Sequence, residues 1–198
     1  SPEQIVKQYF EDVDIVLTTR ELGRLFKQCG IESKEDFLRL ADVQYDSPLG
    51  QSTGAAAIFG ATGGVMEAAL RTAYELATGS PLPRLDLKPC RGLEGIKEAV
   101  LPVGETRLRV AIAHGMKNVR QLLHRIQKKE VEYHLIEIMT CPAGCIGGGG
   151  QPQSSDPDVL VKRMRGVYSI DELSVLRKSH ENPEVKQLYS DFLGTPNS

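Results

Sequence analysis

Residues 107–139, RLRVAIAHGMKNVRQLLHRIQKKEVEYHLIEIM, decide the fold. Residues 107–113 and 133–139 are short, mostly apolar runs that are typical of strands, whereas residues 116–129 repeat apolar side chains at helical spacing. A strand, a helix and a strand in this order are almost always joined by a right-handed crossover. The sequence therefore predicts a strand–helix–strand unit whose two strands are parallel neighbours.

The segments before this unit extend the sheet and add helices. Residues 96–103 are expected to form a hairpin with residues 107–113 around Gly104, and residues 13–17 read as another short strand. A capping box from Thr18 to Glu21 predicts a helix that ends at Gly30, and further helices are expected at residues 33–40 and 65–78. The apolar faces predicted for the first and last of these helices are Leu22, Leu25, Phe26 and Cys29, and Met66, Ala69, Leu70, Ala73 and Leu76 or Ala77.

The remainder of the chain, from residue 156 to residue 198, is predicted to be helical. Helices are expected to begin at Asp156-Pro157, at Ser169 and at Asn182-Pro183, because each combines a capping residue with proline or glutamate. The expected fold class is α/β, with a small, mainly parallel β-sheet flanked by helices and a helical C-terminal segment. We expect residues 1–155 to form the α/β lobe, with a binding loop at 139–152, and residues 156–198 to pack on it.

The composition excludes several classes of function. Of 198 residues, 40% are hydrophobic and 25% charged, which is ordinary for a globular protein. A formal net charge of -2 argues against a nucleic-acid partner. The chain lacks the run of about 18 apolar residues that membrane insertion requires. Four cysteines are few for a disulfide scaffold of this length, so reduced thiols and a cytoplasmic location are expected.

Cys141 and Cys145 lie in the loop TCPAGCIGGGGQP, residues 140–152, which follows a predicted strand. Ligands of open α/β sheets bind beyond the carboxyl ends of strands. Thiolates bind soft metals and iron–sulfur clusters, and the glycines would let backbone amides approach a sulfur-rich anion. A zinc ribbon would need a second cysteine pair, and a redox dithiol usually has C-x-x-C spacing. The loop thus predicts half of a cluster site, against the alternative of a structural cysteine pair.

Other candidates carry weaker patterns. The segment FGATGG, residues 59–64, is either a tight turn into the next helix or a close approach to a ligand at a helix N-terminus, and both interpretations stay open. Cys29 is expected to be a small buried hydrophobe and Cys90 a bystander. The segment KSHEN, residues 178–182, suggests a catalytic cluster, but a junction between two helices with local caps explains it as well. The run KRMR, residues 162–165, is interpreted as a solvated helix face. All four histidines are interpreted as structural or surface residues: His114, His124, His134 and His180.

The cysteine loop closely resembles the third cysteine motif of iron-only (FeFe) hydrogenase catalytic domains, M-x-C-P-x-G-C-x-x-G-G-G-Q-P. Residues 139–152 match it at every fixed position. Further segments resemble the same family across nearly the whole chain: LTTREL (17–22), DSPLG (46–50), FGATGGVMEAA (59–69), RGLEGIKE (91–98) and KSHENP (178–183).

The resemblance implies a 4Fe-4S cluster that is linked through one cysteine to a two-iron unit carrying CO, cyanide and a dithiolate. By position, Cys141 is similar to a terminal cluster ligand, and Cys145 to the ligand that also bridges to the two-iron unit. Phe59, Gly60 and Met139 correspond to cofactor-binding positions. The implied activity is the reversible joining of two protons and two electrons into hydrogen, with electrons from ferredoxin or an NAD(P)-linked electron-transfer subunit.

The family's first two motifs, similar to TSCCPxW and MPCxxKxxE, are absent from this sequence. They would supply the other two cluster cysteines, the proton-donating thiol and a lysine that contacts cyanide. We therefore expect a fragment, the C-terminal lobe of a catalytic domain, whose partner is the rest of that domain. We expect the isolated chain to be inactive with or without a bound cluster, and its loop 140–152 to be disordered without one.

Three other hypotheses remain. The chain could belong to a hydrogenase-like sensor or assembly protein that binds iron and sulfur without turnover. It could be a dithiol or scaffold module with no cluster. Two chains could also share one cluster through four cysteines. Bound iron, counted per chain and per dimer, separates these hypotheses.

Overall fold

The computed structural model describes residues 13–43 and 45–195. The chain divides into two compact units. The first comprises residues 1–41 with residues 150–152, and the second comprises residues 42–149 with residues 153–198. None of the helices in the described residues is both long enough and apolar enough to cross a membrane.

The first unit contains two short helices, α1 (Thr19–Gln28) and α2 (Lys34–Leu38), and each begins with a capping box. At the start of α1, the Glu21 amide donates to Thr18 Oγ1 at 3.3 Å and the Thr18 amide donates to the Glu21 carboxylate at 2.7 Å. The rings of Phe26 and Phe37 join the two helices, with centroids 6.0 Å apart. Both predicted helices are confirmed, and so is the stop at Gly30, whose φ is +81°.

Two predictions in this unit were wrong. Residues 13–17 form no strand. A strand needs hydrogen-bonding partners for its backbone, and no other strand occurs among the described residues of this unit. Cys29 is exposed rather than buried, because two short helices supply too little apolar surface to cover it.

The second unit contains a mixed sheet of β1 (Ile96–Val103), β2 (Thr106–His114) and β3 (Leu135–Met139) in this order. β1 pairs antiparallel with β2, and β2 pairs parallel with β3. The crossover between the parallel strands is α5 (Met116–Gln127). The predicted hairpin, strand–helix–strand unit and α/β class are confirmed, although only one of the two strand pairings described is parallel.

The helices of this unit lie before, between and after the strands. They are α3 (Gly54–Ala57), α4 (Gly64–Thr78), α5, α6 (Val159–Leu173) and α7 (Pro183–Leu188). Single turns of 3-10 helix occur at Ile58–Gly60, Lys88–Cys90, Cys145–Gly147 and Ser179–Glu181, and a π-helical turn at Tyr189–Leu193.

Alternate residues of β2 bury opposite faces of the sheet. Val110 and Ile112 pack with Met66 and Leu70 of α4. Ala111 and Ala113 pack with Val119 and Leu122 of α5. Because successive strand side chains point to opposite faces, a strand buried on both sides reads as a continuous apolar run, as VAIA does in this sequence. The sheet is therefore covered by a helix on each face.

A third core positions the cysteine loop. It joins α3 and the FGATGG segment to the loop and to α6, and its buried members are Ala55, Ile58, Ala61, Ala68, Ala143, Ile146 and Tyr168. Met164 packs against this core and Arg163 donates to the Ile146 carbonyl at 2.9 Å. The prediction of a solvated face for residues 162–165 was therefore wrong for these two residues.

The start and the continuity of α6 differ from the prediction. The helix begins at Val159, two residues later than the predicted cap implies, because Asp156 uses its carboxylate on the Asp158 amide at 2.9 Å. Ser169 lies inside α6 and starts no new helix, since the helix continues to Leu173. The start of α7 at Asn182-Pro183 is confirmed, with Asn182 Oδ1 accepting from the Glu184 amide. The domain boundary at residue 156 stays a prediction.

The buried face of α4 is partly ionic, which the apolar pattern did not predict. Ala69, Ala73, Leu76 and Ala77 are exposed, whereas Glu67 and Arg71 are fully buried. Arg71 lies 2.8 Å from both Glu67 and Asp171, so it joins α4 to α6. Burial of such charges is tolerated only when each one is paired and hydrogen-bonded.

Three further residues complete this buried network. Arg91 lies 2.8 Å from Glu67, and its guanidinium stacks over the Tyr168 ring at 4.0 Å from the centroid. Arg177 lies 2.6 Å from Asp171, and both arginines contact Asp86. The network therefore ties α6 and the chain after it to α4.

Glu75, near the end of α4, binds the 3-10 turn at Ser179–Glu181. Its carboxylate accepts from Lys178 at 2.8 Å, from the Leu82 amide at 2.9 Å and from His180 at 2.9 Å. These bonds, led by the one from Lys178, lower the pKa of Glu75 from its usual 4.5 to about 2. The KSHEN segment is thus held by ion pairs as well as by local caps.

We expect Glu75→Gln to lower stability in a pH-dependent way. A depressed carboxyl pKa stabilises the fold fully above the unfolded value of 4.5, and the effect is lost as the pH falls towards 2. Urea unfolding at pH 7 and at pH 3 should therefore show a larger gap between wild type and variant at pH 7. Glu105→Gln, at an exposed carboxylate, should change stability by less than about 0.5 kcal/mol at both values. An equal gap at both pH values would contradict this.

Candidate metal centre

The two loop cysteines follow the carboxyl end of β3, as the sequence predicted. The Gly115 amide donates to the Met139 carbonyl at 2.9 Å, which holds the ends of β2 and β3 together. Cys141 is half-buried and Cys145 is exposed, and both thiols are free. The Gly144 amide donates to the Cys141 carbonyl at 3.1 Å, so the chain turns tightly between the two cysteines. Both cysteines thus lie on one short turn at the carboxyl end of β3.

The structure brings the FGATGG segment onto this turn. The Thr62 amide donates to the Ala143 carbonyl at 3.0 Å. A Cβ added to Gly144 would lie 2.7 Å from Met139 Sδ, 2.9 Å from the Thr62 amide nitrogen and 3.0 Å from the Gly60 carbonyl oxygen. Met139 and Gly60, two of the predicted cofactor-binding residues, therefore meet at the loop between the cysteines.

Phe59 lies in the 3-10 turn Ile58–Gly60, next to Gly60, and its side chain is 45% exposed. An exposed aromatic ring beside a buried neighbour such as Ile58 is available to a ligand or to another protein surface. Its role as a cofactor-binding residue stays a prediction.

The N-terminus of α4 is capped from inside the protein. Glu137 on β3 is buried, and its carboxylate accepts from the Gly63 amide at 2.6 Å and from the Met66 amide at 2.7 Å. Added side chains at Gly63 and Gly64 would overlap the carbonyls of Cys90 and Ile58. The interpretation of FGATGG as a tight turn is therefore confirmed, and Glu137 already binds two of the amides at this helix N-terminus. The close approach of the segment to a ligand stays a prediction.

Lys97 is a buried cation behind the same turn. Its ammonium donates to the carbonyls of Thr62 and Gly92, each at 3.0 Å. Burial lowers the pKa of Lys97, and the nearby Glu137 carboxylate opposes that shift. A carboxylate and an ammonium from two strands thus fix the FGATGG turn from below, and neither could be recognised from the turn's own sequence.

The glycines of the loop differ in how closely other atoms surround them. Gly147 packs against the Pro142 carbonyl, where a side chain would overlap. Gly150, in the first unit, packs against Thr18, whose Cβ would lie 2.8 Å from an added side chain. Around Gly149 nothing lies within 4 Å of the position that a Cβ would take. Much of the glycine content is therefore required by the protein's own backbone, rather than by a ligand alone as the sequence suggested.

The remaining candidates do not add ligands to this turn. Cys90 is fully buried in a core cluster, and burial raises the pKa of its thiol to about 12, so it is poorly suited to metal binding. Glu75, His180 and Glu181 lie close enough to hold a metal ion, but the Lys178 ammonium binds both carboxylates. The Lys178 ammonium thus already lies where these side chains would hold a metal ion.

His114 was expected to be structural, and the structure gives it a specific contact with the cysteine loop. It is buried, and its Nδ1 accepts from the Ala143 amide at 2.9 Å. Together with Glu137 and Arg163, it is a residue that the sequence did not connect with the cysteines. The sequence does contain one sign that Glu137 has a special role, because it is a charged residue inside the otherwise apolar strand LIEIM.

The donors of the turn suit half of an iron–sulfur cluster. The free thiols of Cys141, which is half-buried, and Cys145, which is exposed, provide the soft ligands that such clusters prefer. A cubane cluster takes four thiolates, and this turn offers two. Cys141 and Cys145 therefore suit a 4Fe-4S cluster, provided that another part of the protein supplies the other two thiolates.

Comparisons with known proteins agree with this chemistry. Residues 1–149 match the family described as iron only hydrogenase large subunit, C-terminal domain, and residues 157–198 match the iron hydrogenase small subunit. The NADP-reducing hydrogenase subunit HndD of Solidesulfovibrio fructosivorans is 53% identical over 93% of this chain and 31% of its own length. Iron hydrogenase 1 of Clostridium pasteurianum is 40% identical over 98% of this chain and 34% of its own length.

A solved structure has the same fold. A variant of the [FeFe]-hydrogenase HydA1 from Chlamydomonas reinhardtii aligns with a TM-score of 0.72 and 43% identity, over 94% of this chain and 53% of that one. A more distant relative, cytosolic iron-sulfur assembly component 3 of Mus musculus, is 29% identical over 92% of this chain and 38% of its own length. The chain spans about a third of the length of the curated relatives named here. It belongs to the iron-only hydrogenase family.

Proposed function

We propose that this chain is the part of an iron-only hydrogenase catalytic domain that supplies two cysteinate ligands to its cluster. The observation that carries this proposal is the turn between Cys141 and Cys145, which packs on Met139 and Gly60 at the carboxyl end of β3. When bound, the 4Fe-4S cluster and its linked two-iron unit would supply the electrons and the metal site for hydrogen chemistry. Cys141 and Cys145 would hold the 4Fe-4S cluster.

The chain's own residues would bind and enclose this centre. Phe59, Gly60 and Met139 would contact the two-iron unit and keep water from it. When the rest of the catalytic domain covers it, a shell of this kind would control solvent access and the dielectric around the metal site. His114 contacts the turn, but both of its ring nitrogens bind backbone groups, at Ala143 and Leu93, so the proton donor would come from the rest of the catalytic domain. We expect the isolated chain to form no hydrogen.

The partners that we propose are the rest of the catalytic domain, with its other two cysteines, and an electron-transfer protein. HndD is named as an NADP-reducing hydrogenase subunit, which supports an NAD(P)-linked partner, and ferredoxin is the alternative. We propose a cytoplasmic location for the complete protein. The similarity to an iron-sulfur assembly component supports a second candidate function, cluster binding without turnover.

The test is to prepare the complete protein that contains this chain without oxygen, reconstitute it with iron, sulfide and the two-iron unit, and measure bound iron and hydrogen formation. Cys141→Ser and Cys145→Ser should each lose cluster iron and reduce hydrogen formation to background. Cys29→Ser should change neither. Bound iron with no hydrogen formation in the wild type would favour the assembly function, and no bound iron would leave a dithiol module.

A further inference from the structure

His114 lies at the junction of the two parallel strands and the cysteine loop. It ends β2 opposite Met139, the last residue of β3. Its backbone is fixed on both sides, since its amide donates to the Gly95 carbonyl at 3.1 Å and its carbonyl accepts from Asn118 Nδ2 at 2.8 Å. The ring is therefore held by the sheet and projects towards the loop.

The two ring nitrogens have different partners, and these partners define the tautomer. Nδ1 lies 2.9 Å from the Ala143 amide, which can only donate, so Nδ1 carries no proton. Nε2 lies 3.2 Å from the Leu93 carbonyl, which can only accept, so Nε2 carries the proton. Only the neutral Nε2–H form satisfies both contacts.

The Ala143 amide needs this acceptor. Ala143 is buried and has a φ of +62°, a left-handed conformation that is unfavourable for a residue with a side chain. It lies midway between Cys141 and Cys145, and its carbonyl accepts from Thr62. A buried amide left without an acceptor carries the full cost of its desolvation, so removal of the ring nitrogen would favour a different loop conformation.

We propose that His114 is a positioning residue that sets the backbone between Cys141 and Cys145 in the conformation required for cluster binding. This inference rests on the proposed function of the two cysteines. His114 acts through Ala143 and contacts no ligand itself. Outer-shell groups that orient ligands commonly change metal affinity by about 10- to 100-fold when they are replaced.

Three substitutions separate the two ring contacts. His114→Asn places an amide oxygen near the position of Nδ1 and keeps an acceptor for Ala143, but it loses the Leu93 contact. His114→Gln places an amide NH₂ near Nε2, keeps a donor for Leu93 and loses the Ala143 contact. His114→Leu loses both contacts at similar volume.

The first measurement is hydrogen exchange of the Ala143 amide in the complete protein that contains this chain, after reconstitution with iron, sulfide and the two-iron unit, with the Ile112 amide on β2 as an internal reference. Exchange at Ala143 should accelerate about 10- to 100-fold in the Gln and Leu variants and stay near wild type in the Asn variant. Exchange at the Ile112 amide should not show this difference between the Asn variant and the other two variants. Equal acceleration in all three variants, or none, would overturn the proposal.

The second measurement is the loss of iron from the reconstituted complete protein during exposure to a chelator. The Gln and Leu variants should lose iron about tenfold faster than wild type, and the Asn variant should retain it. If the wild-type protein holds no cluster, the proposed function fails, and with it the role of His114 in cluster binding. The exchange measurement still decides in that case whether His114 holds the loop.

Discussion

Replacement of Arg71 by methionine is expected to lower the free energy of unfolding by about 3–5 kcal/mol. The guanidinium lies 2.8 Å from the carboxylates of Glu67 and Asp171, and all three side chains are fully buried. Removal of the cation leaves two carboxylates close together in a medium that solvates them poorly. Arg91 still pairs with Glu67 and Arg177 with Asp171, but both arginines also pair with Asp86. The remaining carboxylates therefore outnumber the remaining cations by one, and the variant loses more than the Arg71 pairs themselves contribute.

Urea unfolding monitored by circular dichroism measures this effect. Arg109→Met is the matched control, because Arg109 is half exposed and pairs at 3.4 Å with an exposed carboxylate of Glu132. That variant should lose less than about 1 kcal/mol. A loss for Arg71→Met no larger than that of the control would contradict the buried network and its role in joining α4 to α6.

Gly147→Ala is expected to disrupt the cysteine loop, whereas Gly149→Ala is not. An alanine at position 147 would overlap the Pro142 carbonyl and come within 3.4 Å of Leu160, so the backbone next to Cys145 must move. Overpacking of this kind costs about 1–3 kcal/mol. At position 149 nothing lies within 4 Å of the added carbon. The two substitutions add the same methyl group to the same glycine run and differ in the space available to it.

Iron content of the reconstituted complete protein and its thermal unfolding together test this prediction. Gly147→Ala should retain about tenfold less iron, in line with other changes that displace ligands, and should unfold at a lower temperature. Gly149→Ala should resemble wild type in both respects. Equal iron loss in the two variants would mean that the whole glycine run, rather than its packed positions, is needed for the cluster.

The sequence predicted most of the second unit because its elements have strong periodic patterns. The apolar runs of β2 and β3 and the helical spacing of α5 specify both the elements and their parallel pairing. Residues 13–17 show the same apolar pattern without forming a strand. A pattern indicates which residues could form a strand, but a strand forms only where a partner is available.

Buried charges were the main feature that sequence patterns did not reveal. Glu67 and Arg71 directly follow the apolar residues Met66 and Leu70 in α4, and charged side chains would ordinarily be placed on the solvent side of a helix. Their burial depends on Asp171, Arg91 and Arg177, which are distant in sequence. Only the folded chain brings these partners together.

The sequence predicted the ligands of the candidate site, but not the residues that hold the loop in position. The spacing of Cys141 and Cys145 and the glycines around them are local features of the sequence. The contacts of His114 with Ala143, of Glu137 with Gly63 and of Arg163 with Ile146 join residues 17 to 74 positions apart. The predicted disorder of the loop without its cluster stays a prediction.

The central claim is that Cys141 and Cys145 bind one iron–sulfur cluster. Its most direct test is iron anomalous diffraction from crystals of the complete protein prepared without oxygen. We expect iron within bonding distance of both Cys141 Sγ and Cys145 Sγ, with two further cysteine ligands from another part of the catalytic domain. A cluster bound without either of these sulfurs, in a protein that forms hydrogen, would contradict it.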